Sequence, residues 1–540
     1  MSVRQWSKPT SWRLLPCVLA LAAAGTVHAQ AQKTDEKPTR GGTVIFPIHM
    51  GEPGTFDCHS TSSPREMWRL APHYSSLLQI DADNYPNVKG DLAQSWTVSP
   101  DGMTYEFKLR PNVKFHDGSA LTSNDVRVSY ERMRNPPQGV ISLHKVMFED
   151  VKAIEAPDAS TVVFRMHSPN SAMLQLIGMP FACVYSAKML AEDPAYPARK
   201  IMGTGPFRFG HYAPGQEWVG SRFDAYFKPG QPYLDGFRAL SIAGSAATNA
   251  VLAGQVHFNM RGLTPSEIER VVAARGDKVK IVGRQTATGV HTWLAVNTER
   301  PALNDVRVRR ALTLALDRWM GSKAMEPLSA IHLMGGLYRP GSPFARNNKE
   351  LESLTGFGRD MKAARAEARR LLAEAGQTNL KLVLLNNEPY PFYGVYVVDQ
   401  LRQIGVTVEH HLNPAPSFVA RRAAGEFDLS LANPLEYMDD PTVQMSMLLP
   451  FKDNPANFSR TNDPRLATLY AVQKRALDLP TRRQRAQELE DYIINQAYVI
   501  PLFWQNWARA ISTEVGGLSD MPSNFLKIDL ADIWLRSADK

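Results

Sequence analysis

Between Arg359 and Leu431 the apolar positions change period several times. Met361, Ala364, Ala368, Leu371, Leu372 and Ala375 recur at helical spacing and stop at Gly376, which predicts one amphipathic helix. Leu380–Leu385 is a short apolar run and predicts a buried strand. Tyr393–Ile404 returns to helical spacing with Val397, Val398, Leu401 and Ile404 inward, Val406–Leu412 predicts a second strand, and a further helix leads to the strand Phe427–Leu431. Strands alternating with helices predict an α/β fold with a parallel sheet and right-handed crossovers. Such sheets bind ligands outside the carboxyl ends of their strands. The loops Asn386–Pro391 and Ala432–Pro441 are therefore candidates for ligand contact.

Gln94–His116 follows a different rule. Ser95-Trp96-Thr97-Val98 and the alternating Tyr105, Phe107 and Leu109 flank Ser99-Pro100-Asp101-Gly102, which predicts a hairpin. An antiparallel module is thus expected beside two α/β lobes. The length of 540 residues, with 44% hydrophobic and 21% charged, accommodates two or three ordinary domains.

The N-terminus changes the expected compartment. Arg4, Lys8 and Arg13 precede an apolar run from Leu14 to Gly25, and Val27-His28-Ala29 follows, the layout of a secretory signal peptide cleaved after Ala29. The run is too short for a bilayer core, which needs ~20 residues, and Pro16 before Cys17 disfavours lipid attachment. A soluble periplasmic protein is expected. Removing those three cations and no acid takes the formal charge from +8 to +5, and the charges are interspersed, so no nucleic-acid surface is expected. Cys58 and Cys183 would sit where disulfides form, but their pairing is left open by spacing alone.

Enzymatic signatures are missing. There is no phosphate loop, no His-Glu-x-x-His, no Cys-x-x-Cys and no Gly-x-Ser-x-Gly, so no catalytic residue, metal set or cofactor is expected. Ser142-Leu143-His144-Lys145 fits Ser-x-x-Lys but lacks a Lys-Thr-Gly partner. His410 and His411 are adjacent on a predicted strand, point to opposite faces and cannot share a metal ion.

Several motifs occur in a fixed order: Gly41-Gly42-Thr43-Val44; Asp91-Leu92-Ala93-Gln94-Ser95-Trp96 running on through Phe115-His116-Asp117-Gly118 to Asp125-Val126; Gly203-Thr204-Gly205-Pro206-Phe207; Asn297-Thr298; Asp305–Leu312; Asp317-Arg318; and Pro501-Leu502. In these the chain, from Gly41 to about Ser512, resembles family 5 of the extracellular solute-binding proteins of ABC transporters. The resemblance implies two lobes joined by hinge strands, an extra domain inserted in the first lobe, and hinge closure over a ligand without covalent chemistry. The expected segments are a signal peptide at 1–29, first lobe at 30–75, 200–290 and 495–540, inserted domain at 76–199 and second lobe at 291–494.

In peptide-binding members of that family a carboxylate just before the Asp-Pro of the second loop meets the ligand's α-amine. Counting from the strand without gaps places Tyr437 there, with Glu436 and Asp439 beside it. The arginine that the dipeptide branch carries in the first loop is replaced by Asn386-Asn387-Glu388-Pro389-Tyr390. Glu388, Glu436 and Asp439 would suit a cationic or amine-bearing ligand, and Tyr390, Tyr437 and Trp504 would stack on flat groups. Asn433 and Met438 complete the second loop, and His59 follows the strand Thr43–Pro47. The expected function is the ligand-capture component of an importer for peptides or peptide-like solutes, a monomer whose partner is a permease in the inner membrane. The readings set against it are a non-peptide ligand (cationic amine, opine, sugar or metal complex) and a secreted hydrolase, for which no nucleophile with a base in reach is found.

Overall fold

The computed structural model describes residues 36–48, 51–242, 244–260, 262–283, 289–328, 331–388, 390–434, 438–518 and 521–536. Residues 1–29, expected as the signal peptide, lie outside them. Every element belongs to the compact unit Pro38–Lys540, the other unit being Met1–Lys37.

The first lobe is built on a four-stranded sheet. Thr43–Pro47 pairs parallel with Gly236–Leu240, which continues antiparallel through Glu217–Arg222 to Phe207–Ala213. Val44 and Phe46 point inward, and Phe46 stacks on Phe258 at 5.0 Å. Gly203 and Gly205 let the chain pass close to the preceding turn, since a Cβ there would stand 2.2 Å and 2.4 Å from the His73 backbone.

The expected hairpin exists as Ala93–Val98 and Thr104–Leu109, with Gly102 at φ 67° closing the turn. Thr161–Met166 and Val151–Asp158 extend it to a four-stranded antiparallel sheet, covered by the helix Ser123–Arg134, whose Thr122 and Asp125 form a capping box. Cys58 and Cys183 form a disulfide across 125 residues, resolving the question that spacing left open.

The second lobe holds a six-stranded sheet in the order Ile331–Leu333, Val499–Asn506, Val290–Val296, Leu429–Ala432, Lys381–Asn387, Thr407–Asn413. The last three run parallel, as the strand–helix alternation predicts. The sheet is mixed, because the first three strands, which lie outside that alternating segment, are antiparallel. Helices Val306–Ala315, Met361–Glu374 and Pro391–Arg402 cover one face, and Pro464–Arg475 and Leu479–Gln496 the other. The inner strands Val290–Val296 and Val499–Asn506 are consequently buried along their whole length.

Two segments join the lobes. Val279–Val282 pairs with Arg509–Ser512 on the first-lobe side, while Val290–Val296 pairs with Val499–Asn506 inside the second. The chain therefore returns after Asn506 and not at 495, since 499–506 is a full member of the second-lobe sheet.

The antiparallel sheet and its flanking loops also touch the second lobe. Lys474 Nζ lies 2.8 Å from Asp150 and 2.9 Å from Glu149, and its carbonyl accepts the backbone N–H and the hydroxyl of Ser171. Asp150 is largely buried whereas Glu149 is half exposed. Lys474→Met is expected to weaken this contact by about 2 kcal/mol, between the values for exposed and buried pairs, and to enlarge the radius of gyration of ligand-free protein in X-ray scattering. An unchanged radius would mean that other contacts hold the lobes together.

Candidate ligand-binding cleft

The register defines where the lobes meet. Trp293 pairs with Ala432 and His291 with Trp504, so the carboxyl ends of the parallel strands, the start of 290–296 and the end of 499–506 share one edge of the sheet. Both lobe-crossing segments leave from that edge.

These central strands read Val-His-Thr-Trp-Leu-Ala-Val and Val-Ile-Pro-Leu-Phe-Trp-Gln-Asn. Their polar residues sit only at the crossing end. On one face Thr292 Oγ1 donates to Asn433 Oδ1 at 2.7 Å and accepts from Gln505 Nε2 at 3.1 Å, while Gln505 Oε1 accepts from Trp507 Nε1 at 2.8 Å. This chain of polar groups is internally satisfied.

The opposite face is not. His291 is fully buried, its ring stacked 4.3 Å from Trp504 at 10°, and neither ring nitrogen has a hydrogen-bond partner. Burial alone lowers its pKa to about 3, so the imidazole is neutral and offers one donor and one acceptor. Asn506, two residues beyond Trp504 on the same face, is also fully buried, with both amide atoms unpartnered. Buried polar groups almost always find partners. His291 and Asn506 thus leave four buried side-chain polar atoms without a hydrogen-bond partner at the end of the sheet from which the chain crosses between the lobes.

Met438 is fully buried and joins the first-lobe core, so it is a lobe-to-lobe packing residue and not a free ligand wall. Asp439, expected to face the ligand as a free acid, is instead closed by Arg339, whose Nε lies 2.9 Å and 2.8 Å from its two oxygens and whose Nη2 lies 2.5 Å away. The Tyr85 hydroxyl, from the segment 76–199, donates to the same carboxylate. Asp440 accepts the Thr442 backbone N–H and pairs with Arg482. Glu436 and Tyr437 lie outside the described residues.

The remaining expected contacts divide. Asn433 is half-buried and accepts from Thr292 Oγ1 at 2.7 Å. Glu388 is exposed, its backbone N–H donating to Asn413. Tyr390 is corrected to a packing residue, its ring beside Phe392 and Tyr393 on the second-lobe core. Trp504 is likewise corrected: it is fully buried, donates to the Gly336 carbonyl at 2.9 Å and stacks on His291, leaving no face for a ligand. His59 is corrected as well, because Arg132 donates to its Nδ1 and its Nε2 contacts the Cys183 carbonyl, both at 3.0 Å, inside the first-lobe core. Sequence reading passed over His291 and Asn506. The signal was a polar residue at the end of an otherwise apolar central strand.

Residues 87–455 match the family described as bacterial extracellular solute-binding proteins, family 5 Middle. The probable D,D-dipeptide-binding periplasmic protein DdpA of Escherichia coli K12 is 24% identical over 477 residues, covering 86% of this chain and 89% of that protein. The Helicobacter pylori periplasmic binding protein DppA, solved with the peptide STSA, superposes with a TM-score of 0.79 at 22% identity, covering 92% of this chain and 99% of its own. The oligopeptide-binding protein AppA of Bacillus subtilis, solved with a nonapeptide, gives 0.76 at 22% identity, covering 93% and 100%. The two-lobed fold is shared with these structures. With over two thirds of its length matched by the family model, the chain belongs to the family 5 bacterial extracellular solute-binding proteins.

Proposed function

We propose that this protein is the periplasmic capture component of an ABC importer and closes its lobes on a short peptide or peptide-like solute. The observation that carries the reading is the set of unpartnered polar atoms of His291 and Asn506, buried where two crossing segments join the lobes. A peptide backbone presents alternating N–H donors and C=O acceptors, and a neutral imidazole with a carboxamide meets both kinds. Relatives named for peptides support the ligand class. Closure stabilised by a ligand that prefers the closed form makes the closed form the signal to the permease.

Under this reading residues 1–29 direct export and are removed after Ala29, and the mature chain works as a monomer that hands its ligand unchanged to a permease in the inner membrane. No helix among the described residues is long and apolar enough to cross a membrane. The first lobe comprises the sheet around Thr43–Pro47 with the return segment after Asn506, the inserted domain lies within 76–199, and the second lobe runs from 290 to 506. Glu388, Asn433, Glu436 and Tyr437 remain proposed walls of the cleft, joined by His291 and Asn506.

The test pairs identification with substitution. Mature protein purified from cells is analysed by native mass spectrometry for a co-purifying ligand, and trialanine is titrated into the wild type and Asn506→Leu. Leucine keeps the volume but removes an amide that lacks partners in the unliganded protein, so the variant should unfold about 1–2 kcal/mol later while binding roughly tenfold more weakly. A variant that is less stable and binds equally well would make Asn506 a structural residue. A co-purified sugar or metal complex would overturn the peptide assignment.

A further inference from the structure

The second lobe carries a slot that shares only Asn433 with the cleft contacts proposed above. Its volume is about 210 Å³, larger than the ~150 Å³ apolar cavity that accepts benzene. The floor follows one strand, from Trp293, level with Ala432, to Ala295 two residues or about 7 Å farther on. Asn433 and Pro434 form one end. The Pro434 carbonyl accepts the His291 backbone N–H at 3.2 Å, so this end lies beside the His291 backbone. Ser459, whose carbonyl accepts the Thr298 N–H at 2.9 Å, marks the other end, where Phe458 and Arg422 form the wall. Met447, Leu448 and Val499 complete an apolar lining.

Arg422 has an unusual setting. Its guanidinium lies 4.7 Å from the Phe418 ring centre and 3.9 Å from that of Phe458. Its Nε is buried without a hydrogen-bond partner, and no acidic side chain pairs with it among the described residues. Burial lowers its pKa to about 10. The fully buried arginines of this lobe are matched differently: Arg339 has Asp439, Arg482 has Asp440, and Arg309 and Arg318 are held by backbone carbonyls. Aromatic stacking alone would favour any cation there. It leaves the in-plane donors of the guanidinium, which suit a carboxylate, to be met from outside the chain.

We propose that the slot is a subsite of the cleft that takes a carboxylate carried on a short apolar or aromatic arm, with Arg422 as its counter-charge. This deepens the ligand-capture reading and rests on it, narrowing the solute to one bearing such an arm. The arm has two possible sources, the C-terminal residue of a peptide or a free aryl carboxylate.

Calorimetric titration with phenylacetate, with the tripeptide Ala-Ala-Phe and with its C-terminal amide tests the assignment. The proteins are the full mature wild type, Arg422→Met, Arg422→Lys and Ala295→Leu, which fills the floor, each checked for an unchanged unfolding transition. A carboxylate probe should bind the wild type and lose about tenfold or more in Arg422→Met and Ala295→Leu. Arg422→Lys, which keeps the charge but not the fork, should fall between and serves if Arg422→Met does not fold. The tripeptide amide should be indifferent to Arg422→Met. Binding of phenylacetate but of neither peptide, with the same losses, supports the subsite and removes the peptide assignment. Tripeptide and amide binding alike, unaffected by any of the substitutions, leaves peptide capture standing and overturns the subsite. It is overturned equally if neither carboxylate binds the wild type.

Discussion

Asp57→Ala is expected to lower the unfolding free energy by about 3–5 kcal/mol, the cost of leaving one partner of a buried ion pair alone. Its carboxylate accepts from Arg132 Nη2 at 2.5 Å and Nη1 at 3.3 Å, from the Tyr185 hydroxyl at 2.9 Å and from the His59 backbone N–H at 3.0 Å. Burial by itself would raise the Asp57 pKa, but His59, Arg132 and Tyr185 outweigh it and hold the carboxyl below its usual range. Asp57, Arg132 and Tyr185 are all buried, so alanine strands a guanidinium where water cannot replace the acid. The double replacement Asp57→Leu with Arg132→Met should cost clearly less than Asp57→Ala, because it removes both charges together. Urea titration of the single and double variants checks this. A single variant within 1 kcal/mol of wild type would mean that the cluster relaxes to readmit water.

The second large effect is acid lability. Burial lowers the pKa of His59, His73 and His291 to about 3 and of His116, His144 and His332 to about 4, against ~6.5 in an unfolded chain. Depressed histidines stay neutral in the folded protein while the unfolded chain takes up protons. Their contribution is therefore fully present above pH ~6.5 and is lost as pH falls toward the folded values, at about 1.4 kcal/mol per unit for each group. Glu490 works the other way. Burial raises it to about 7, so between pH 7 and the ordinary glutamate range it gains stability as the pH falls and offsets one histidine. The net expectation is a urea midpoint that drops steeply below pH 6, with more than two protons taken up on unfolding near pH 5. His291→Leu should reduce that uptake by about one. A midpoint flat from pH 7 to 5 would falsify the picture of histidines locked neutral in the core.

Local order was largely readable before any coordinates. The helix Met361–Glu374, the hairpin around Ser99–Gly102 and the close passage at Gly203–Pro206 depend on residues near one another in sequence, through a 3.6 or 2.0 period, a turn preference or a missing Cβ. The two-lobed α/β architecture was likewise readable, through the order of motifs that the family shares. The ligand contacts were not. Asp439 is taken by Arg339, 100 positions earlier, and His59 is locked by Arg132, 73 positions later. Trp504 looked like a ligand platform, but its face is covered by His291, far away in sequence and opposite it in register.

What the sequence determined by itself is the set of elements and the faces they bury, because hydrophobic period is a property of neighbouring residues. What only the tertiary structure decided is which charges meet, which cysteines join, that three antiparallel strands flank the parallel ones, and which polar groups are left over at the lobe boundary. Those outcomes depend on contacts between residues far apart in sequence. Periodicity records that a face is buried but not what it is buried against.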